Sequence, residues 1–231
     1  MLEQLNDIDS KLFLMLNGSD SAYWDAVMWI ITKTVTWIPL LLVVVYVILK
    51  NCGWRQALLI LVSMAIAVVL ADQISSSIIK PFVMRWRPTH DVALAGSVDT
   101  VFSYTGGRYG FVSSHAANSF ALFALLSLIF RSRLMTFWLF VWALITSYSR
   151  IYLGVHFPGD IVCGALLGLF IGWVTYRLYY FINSNMSTDR MYFSNAYTSS
   201  GFLHSDMQLI TFMLMLTYVA VVLLAIPLAL R

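Results

Sequence analysis

Charge is the scarcest property of this 231-residue chain: Asp, Glu, Lys and Arg make up only 11% of it, against 60% hydrophobic residues. A mean hydropathy of +0.81 excludes water as its sole solvent. No polar stretch is long enough for a separate soluble domain, so one membrane domain is expected over 1–231. Cysteine is nearly absent, and Cys52 and Cys163 have neither metal-type spacing nor a reason to pair. The net charge of +3 rests on few cations placed mainly at loop ends, which argues against a nucleic-acid partner. A basic leader with a small-residue cleavage site is also missing, so the N-terminus is expected to stay on the mature protein.

What is present is a series of apolar runs. A hydrocarbon core requires roughly 20 apolar residues per helix, and six runs qualify, at about 25–49, 57–79, 115–130, 135–154, 159–181 and 207–230. Leu2, Leu5, Ile8, Leu12, Phe13 and Leu16 recur at helical spacing against Asp7, Asp9 and Lys11. The expected fold is all-α: a six-transmembrane-helix bundle preceded by an N-terminal interfacial amphipathic helix over about 1–24. The short link Arg131-Ser-Arg-Leu134 makes the third and fourth spans a tight hairpin. Gly164, Gly168 and Gly172 form a smooth strip suited to close helix packing. Lys33 and Asp72, at equal depth on the first two spans, are expected to form a buried ion pair. Trp24, Trp54, Tyr179 and Tyr180 read as interfacial belts.

Six spans bring Lys80, Arg87, Ser113, Ser114, His115, Arg150, His156 and Asp160 to one face. Lys50, Arg55, Arg131, Arg133, Arg177 and Arg190 lie on the other, outnumbering Lys11, Arg85, Arg108 and Arg231 once the clustered cations are set aside. Cations favour the cytoplasmic side, so the cluster is expected outside the cytoplasm, on an inner-membrane protein.

Lys80, Arg87 and Arg150 exceed what Asp160 alone neutralises, and cations at membrane depth demand an anion. Phosphate fits a guanidinium fork and a lysine point charge. Ser113 is a good N-cap for the third span, directing backbone N–H groups at the same anion, with Ser114 beside it. Asp160 follows His156 by four residues, close enough to hold one ring nitrogen and leave the other free to attack phosphorus. His156 is therefore the expected nucleophile, and His115 the acid for the leaving oxygen and the base for water. No carboxylate cluster for magnesium stands out, so neither metal nor other cofactor is expected.

Lys80-x6-Arg87-Pro88, Ser113-Ser114-His115 and Ser149-Arg150-x5-His156-x3-Asp160 resemble the three signatures of the type 2 phosphatidic acid phosphatase superfamily. The resemblance implies a membrane-bound lipid phosphatase. One departure is Val112-Ser113-Ser114-His115, where the family usually has Pro-Ser-Gly-His; losing glycine at 114 narrows backbone approach to the phosphate. The expected partners are the bilayer and a lipid phosphate, with undecaprenyl diphosphate slightly ahead of lipid A phosphate. A soluble phosphate ester, a phosphotransfer reaction and a non-enzymatic phosphate transporter are the competing readings. His90, Asp91 and His204 read as turn or loop residues, and Arg85 and Arg108 as surface cations or contacts to a second anionic group.

Overall fold

The computed structural model describes residues 2–186 and 196–230, which puts Arg190 and Arg231 outside the described residues. Its main helices are α1 (Leu2–Leu16), α2 (Ala22–Thr32), α3 (Ile38–Asn51), α4 (Trp54–Gln73), α5 (Lys80–Val83), α6 (Ser114–Phe130), α7 (Arg133–Tyr152), α8 (Pro158–Met186) and α9 (His204–Ala229). Among the described residues, five continuous helical stretches are long and apolar enough to cross a membrane: Thr34–Asn51, Trp54–Val83, Arg133–Tyr152, Pro158–Ser184 and His204–Ala229. Ser114–Phe130 is a shorter apolar helix. The protein is an all-helical, multi-pass membrane protein, and Leu42, Val69, Leu166, Phe170 and Leu223 point outward from the bundle.

The first apolar run is not one helix. α2 stops at Lys33, whose ψ of 129° is extended, and a 3-10 turn, Thr34–Trp37, precedes α3. Pro39 lacks an N–H and suits only the first turn of a helix, which favours a restart here. The carbonyls left over at the end of α2 find side chains: Thr36 Oγ1 donates to Ile30 O at 2.5 Å and Trp37 Nε1 to Ile31 O at 3.0 Å. The break also undoes the expected Lys33–Asp72 pair. Lys33 is exposed, with its ammonium 4.7 Å from the centre of the Trp29 ring, and among the described residues it forms no ion pair with Asp72. Equal depth held only for an unbroken first span.

The tight hairpin is present. Arg131 takes the left-handed conformation that ends α6, and the Ser132 hydroxyl caps α7 by accepting from Met135 N. α6 is the central helix, touching α4, α7 and α8, while α9 closes the far side against α2, α3 and α7. The glycine strip is what lets α8 lie on α6. A Cβ on Gly164 would stand 2.6 Å from the Ser113 carbonyl oxygen, one on Gly172 2.5 Å from that of Ala121, and one on Gly168 would overlap that of Ala117. Tyr179 departs from the interfacial reading: it is buried, and its hydroxyl accepts from Gln56 Nε2 at 3.3 Å. His204 begins α9 and is not a loop residue.

Gly168→Leu is expected to lower the thermal midpoint in detergent, since overpacking of this kind costs about 1–3 kcal/mol. The contact tolerates no side chain without separating α6 from α8. An unchanged midpoint would show that the two helices do not depend on it.

Candidate active site

Each clustered side chain is delivered by a local device. The helix begun by α4 widens into a π turn at Ile74–Ile79, where Lys80 N bonds to Ser75 O. Ser76 and Lys80 then both face Ser114: the two serine hydroxyls are 2.8 Å apart and Lys80 Nζ donates to Ser114 Oγ at 2.5 Å. Beyond α5 the chain runs extended, and Trp86 pairs in an antiparallel bridge with Tyr109. Side chains alternate along extended backbone, so Arg85 and Arg87 share the inner side. Trp86 lies outside, under the Arg108 guanidinium at 4.6 Å.

His156 is 1% exposed. Arg87 Nη1 lies 3.1 Å from its Nε2, and the same nitrogen donates to Val155 O at 3.0 Å. A guanidinium has no acceptor, so Nε2 carries the lone pair and the ring proton is on Nδ1. Nδ1 faces Asp160 Oδ2 at 3.4 Å, an oxygen that also accepts from Phe157 N at 3.0 Å. Pro158 occupies the first turn of α8, placing Asp160 to reach back across the helix start. Gly110 packs where a Cβ would be 2.9 Å from Asp160 Oδ2, so a side chain there would have to displace the carboxylate.

Ser113 caps α6 as expected, accepting from Ala116 N at 3.4 Å, and its own N–H donates to Asp160 O at 3.1 Å. His115 is the second residue of α6, half-buried at the helix start that Ser113 caps. Arg150, 3% exposed at the end of α7, donates from Nη1 to Thr32 Oγ1 at 2.7 Å and from Nη2 to Tyr104 OH at 3.3 Å, while its Nε is buried with no partner among the described residues. Among the described residues no carboxylate lies within ion-pair distance of Lys80, Arg87 or Arg150. Burial, then Arg87, Arg150 and Lys80, hold the His156 imidazole well below 6.5, keeping it neutral. Burial and the nearby Arg150 push Arg87 down to about 10, which leaves it charged at neutral pH.

The PAP2 superfamily model matches residues 56–184, the stretch that runs through Lys80, Arg87, His115, Arg150, His156 and Asp160. The chain belongs to the PAP2 superfamily. It is 40% identical over 190 residues, 82% of this chain and 84% of the relative, to the lipid A 4'-phosphatase of Bacteroides thetaiotaomicron. It is also 34% identical over 183 residues, 79% of this chain and 78% of the relative, to the lipid A 4'-phosphatase of Porphyromonas gingivalis. The crystal structure of Aquifex aeolicus LpxE shares the fold, with a TM-score of 0.55 over 72% of this chain and 93% of that one at 24% identity.

The eight residues picked out in this PAP2 chain do converge, and the Ser114 departure acquires a use, because its hydroxyl receives Lys80. Four further partners lie outside the signature positions: Thr32 and Tyr104 on Arg150, and Arg85 and Asp9 behind Asp160. Arg85 is not a surface cation, since its two terminal nitrogens bond to Asp160 Oδ1 at 2.9 Å and Asp9 Oδ2 at 2.7 Å. Its spacing of two from Arg87 on an extended segment was the available signal. His90 and Asp91 sit in short turns, where Asp91 caps Ala93 N.

The folded His156 ring stays neutral where the unfolded one takes up a proton, so stability falls as pH drops below about 6.5 toward the depressed folded value. Thermal melts without substrate are expected to show a falling midpoint from neutrality to about pH 5. His156→Gln is expected to flatten that slope; an equal slope in the variant would mean that the ring takes up its proton as readily in the folded protein as in the unfolded chain.

Proposed function

We propose that this chain is a membrane lipid phosphatase that removes phosphate from a lipid A-type glycolipid through a phosphohistidine on His156. The observation that carries the reading is the buried His156 with its Nε2 lone pair turned toward Arg87 and its Nδ1 toward Asp160. Arg87, Arg150 and Lys80 bind the phosphoryl oxygens, whose negative charge grows and spreads in the transition state. The α6 N-terminus, capped by Ser113, adds its N–H groups to the same anion.

In the first step Nε2 attacks phosphorus: the N–P bond forms, the P–O bond to the lipid breaks, and the departing oxygen takes a proton from His115, which holds it as an imidazolium while the phosphate dianion is bound. In the second, water attacks phosphorus and gives a proton to His115. The N–P bond breaks, its electron pair returns to Nε2, and inorganic phosphate leaves. Asp160 stabilises the positive charge that the ring carries in between.

The lipid A names of the relatives at 40% and 34% identity move lipid A phosphate ahead of undecaprenyl diphosphate as substrate. The cations Lys50, Arg55, Arg131, Arg133 and Arg177 gather at the opposite ends of the helices, which supports an extracytoplasmic site on an inner-membrane protein. α1 lies in the interface, with Leu5, Ile8 and Leu12 exposed for contact with lipid.

Purified protein in detergent containing EDTA is expected to release phosphate from lipid A faster than from undecaprenyl diphosphate or phosphatidate. His156→Ala abolishes the release, and His115→Ala slows it by about 10²–10⁴-fold. Folded wild-type protein that releases phosphate from none of these lipids would turn the reading to a soluble phosphate ester or to transport.

A further inference from the structure

Asp9 lies on α1, far from the three signatures and outside residues 56–184 that match the family model. It nevertheless ends a line of charged groups that begins at the nucleophile. Asp160 Oδ2 faces His156 Nδ1, Asp160 Oδ1 accepts from Arg85 Nη1 at 2.9 Å, and Arg85 Nη2 donates to Asp9 Oδ2 at 2.7 Å. The other oxygen, Asp9 Oδ1, accepts from Gly159 N at 2.8 Å, the residue next to Asp160. The line is buried at its Asp160 end and partly exposed at the other, with side chains 14% exposed at Asp9, 22% at Arg85 and 0% at Asp160.

The contact is held from several directions. Phe13 on α1 is fully buried and meets the Phe157 ring edge-on at 5.5 Å, and the Arg85 guanidinium lies 4.2 Å over that same ring. Asn17 Nδ2 donates to Tyr152 O at 2.9 Å, and Tyr148 OH donates to Leu16 O at 3.2 Å. A Cβ at position 159 would lie 2.7 Å from Asp9 Oδ2, so glycine there permits the carboxylate to approach. α1 is thus fastened along the segment that carries His156.

Charge accounting gives this fastening a consequence. Arg85 and Asp160 alone form a neutral pair, which leaves little to balance an imidazole that becomes positive when Nε2 bonds to phosphorus. With Asp9 included, the line carries one net negative charge directed at Nδ1. Dividing the Arg85 fork between two carboxylates also leaves Asp160 Oδ2 to the ring and to Phe157 N. We propose that Asp9 is a positioning residue for the reaction, acting through Arg85 on the Asp160–His156 pair. This rests on the phosphohistidine reading above.

The test uses the full chain in detergent with lipid A as substrate, and kcat and KM are measured alongside thermal melts. Asp9→Asn retains an acceptor for Gly159 N–H but removes the charge; it is expected to lower kcat about tenfold with KM within about twofold of wild type. Combining it with Arg85→Gln is expected to lower kcat no further than Arg85→Gln alone. Asp9→Glu, which keeps the charge, is expected to hold kcat within about threefold of wild type. Wild-type kcat in Asp9→Asn, a loss confined to KM, or losses that multiply in the double variant would each overturn the proposal. Should Asp9→Asn not be recovered folded, a roughly tenfold kcat loss in folded Asp9→Glu would overturn it equally well. A wild-type protein with no phosphatase activity would instead sink the reading of function.

Discussion

Positive charge without a matching carboxylate, gathered around one buried imidazole, is the constraint to which the rest of this protein answers. Lys80, Arg87 and Arg150 repel one another, and among the described residues none has an acidic partner. Each is instead held by neutral oxygens: Ser114 for Lys80, the Tyr109 and Val155 carbonyls for Arg87, and Thr32 and Tyr104 for Arg150. Neutral acceptors fix where a cation sits without cancelling its charge. That combination suits a site that binds an anion and releases it after the reaction.

Holding the cations there depends on departures from regular helix. The π turn at Ile74–Ile79 turns Lys80 toward α6, the break after α2 presents Thr32 to Arg150, and the bridge between Trp86 and Tyr109 aims Arg87 at His156. The glycine face of α8 brings the start of that helix against the start of α6, so that Ser113 N–H meets Asp160 O and the two helix N-termini border one site. Regular packing supplies the frame, and the irregular turns supply the chemistry.

The parts of this arrangement visible in the sequence were those governed by local rules. The Ser113 cap, Pro158 with Asp160 in the first turn of α8, and the Gly164-Gly168-Gly172 strip depend on neighbours a few residues away, and each stands where spacing put it. The hidden parts are tertiary. Thr36 and Trp37 close the end of α2 only because the chain folds back on itself, and no periodicity marks a π turn. Asp9 and Arg85 are separated by 76 residues, so their pairing has no local trace. The Lys33–Asp72 expectation failed for a related reason: it assumed equal depth on two unbroken spans.

The central claim is that His156 becomes covalently phosphorylated, and quenching the reaction tests it most directly. Wild-type protein mixed with phosphate-labelled lipid A and denatured within the first turnover should carry an acid-labile, alkali-stable phosphate that mass spectrometry places on His156. Full turnover with no label on His156 at any quench time, or label on His115, would contradict the account.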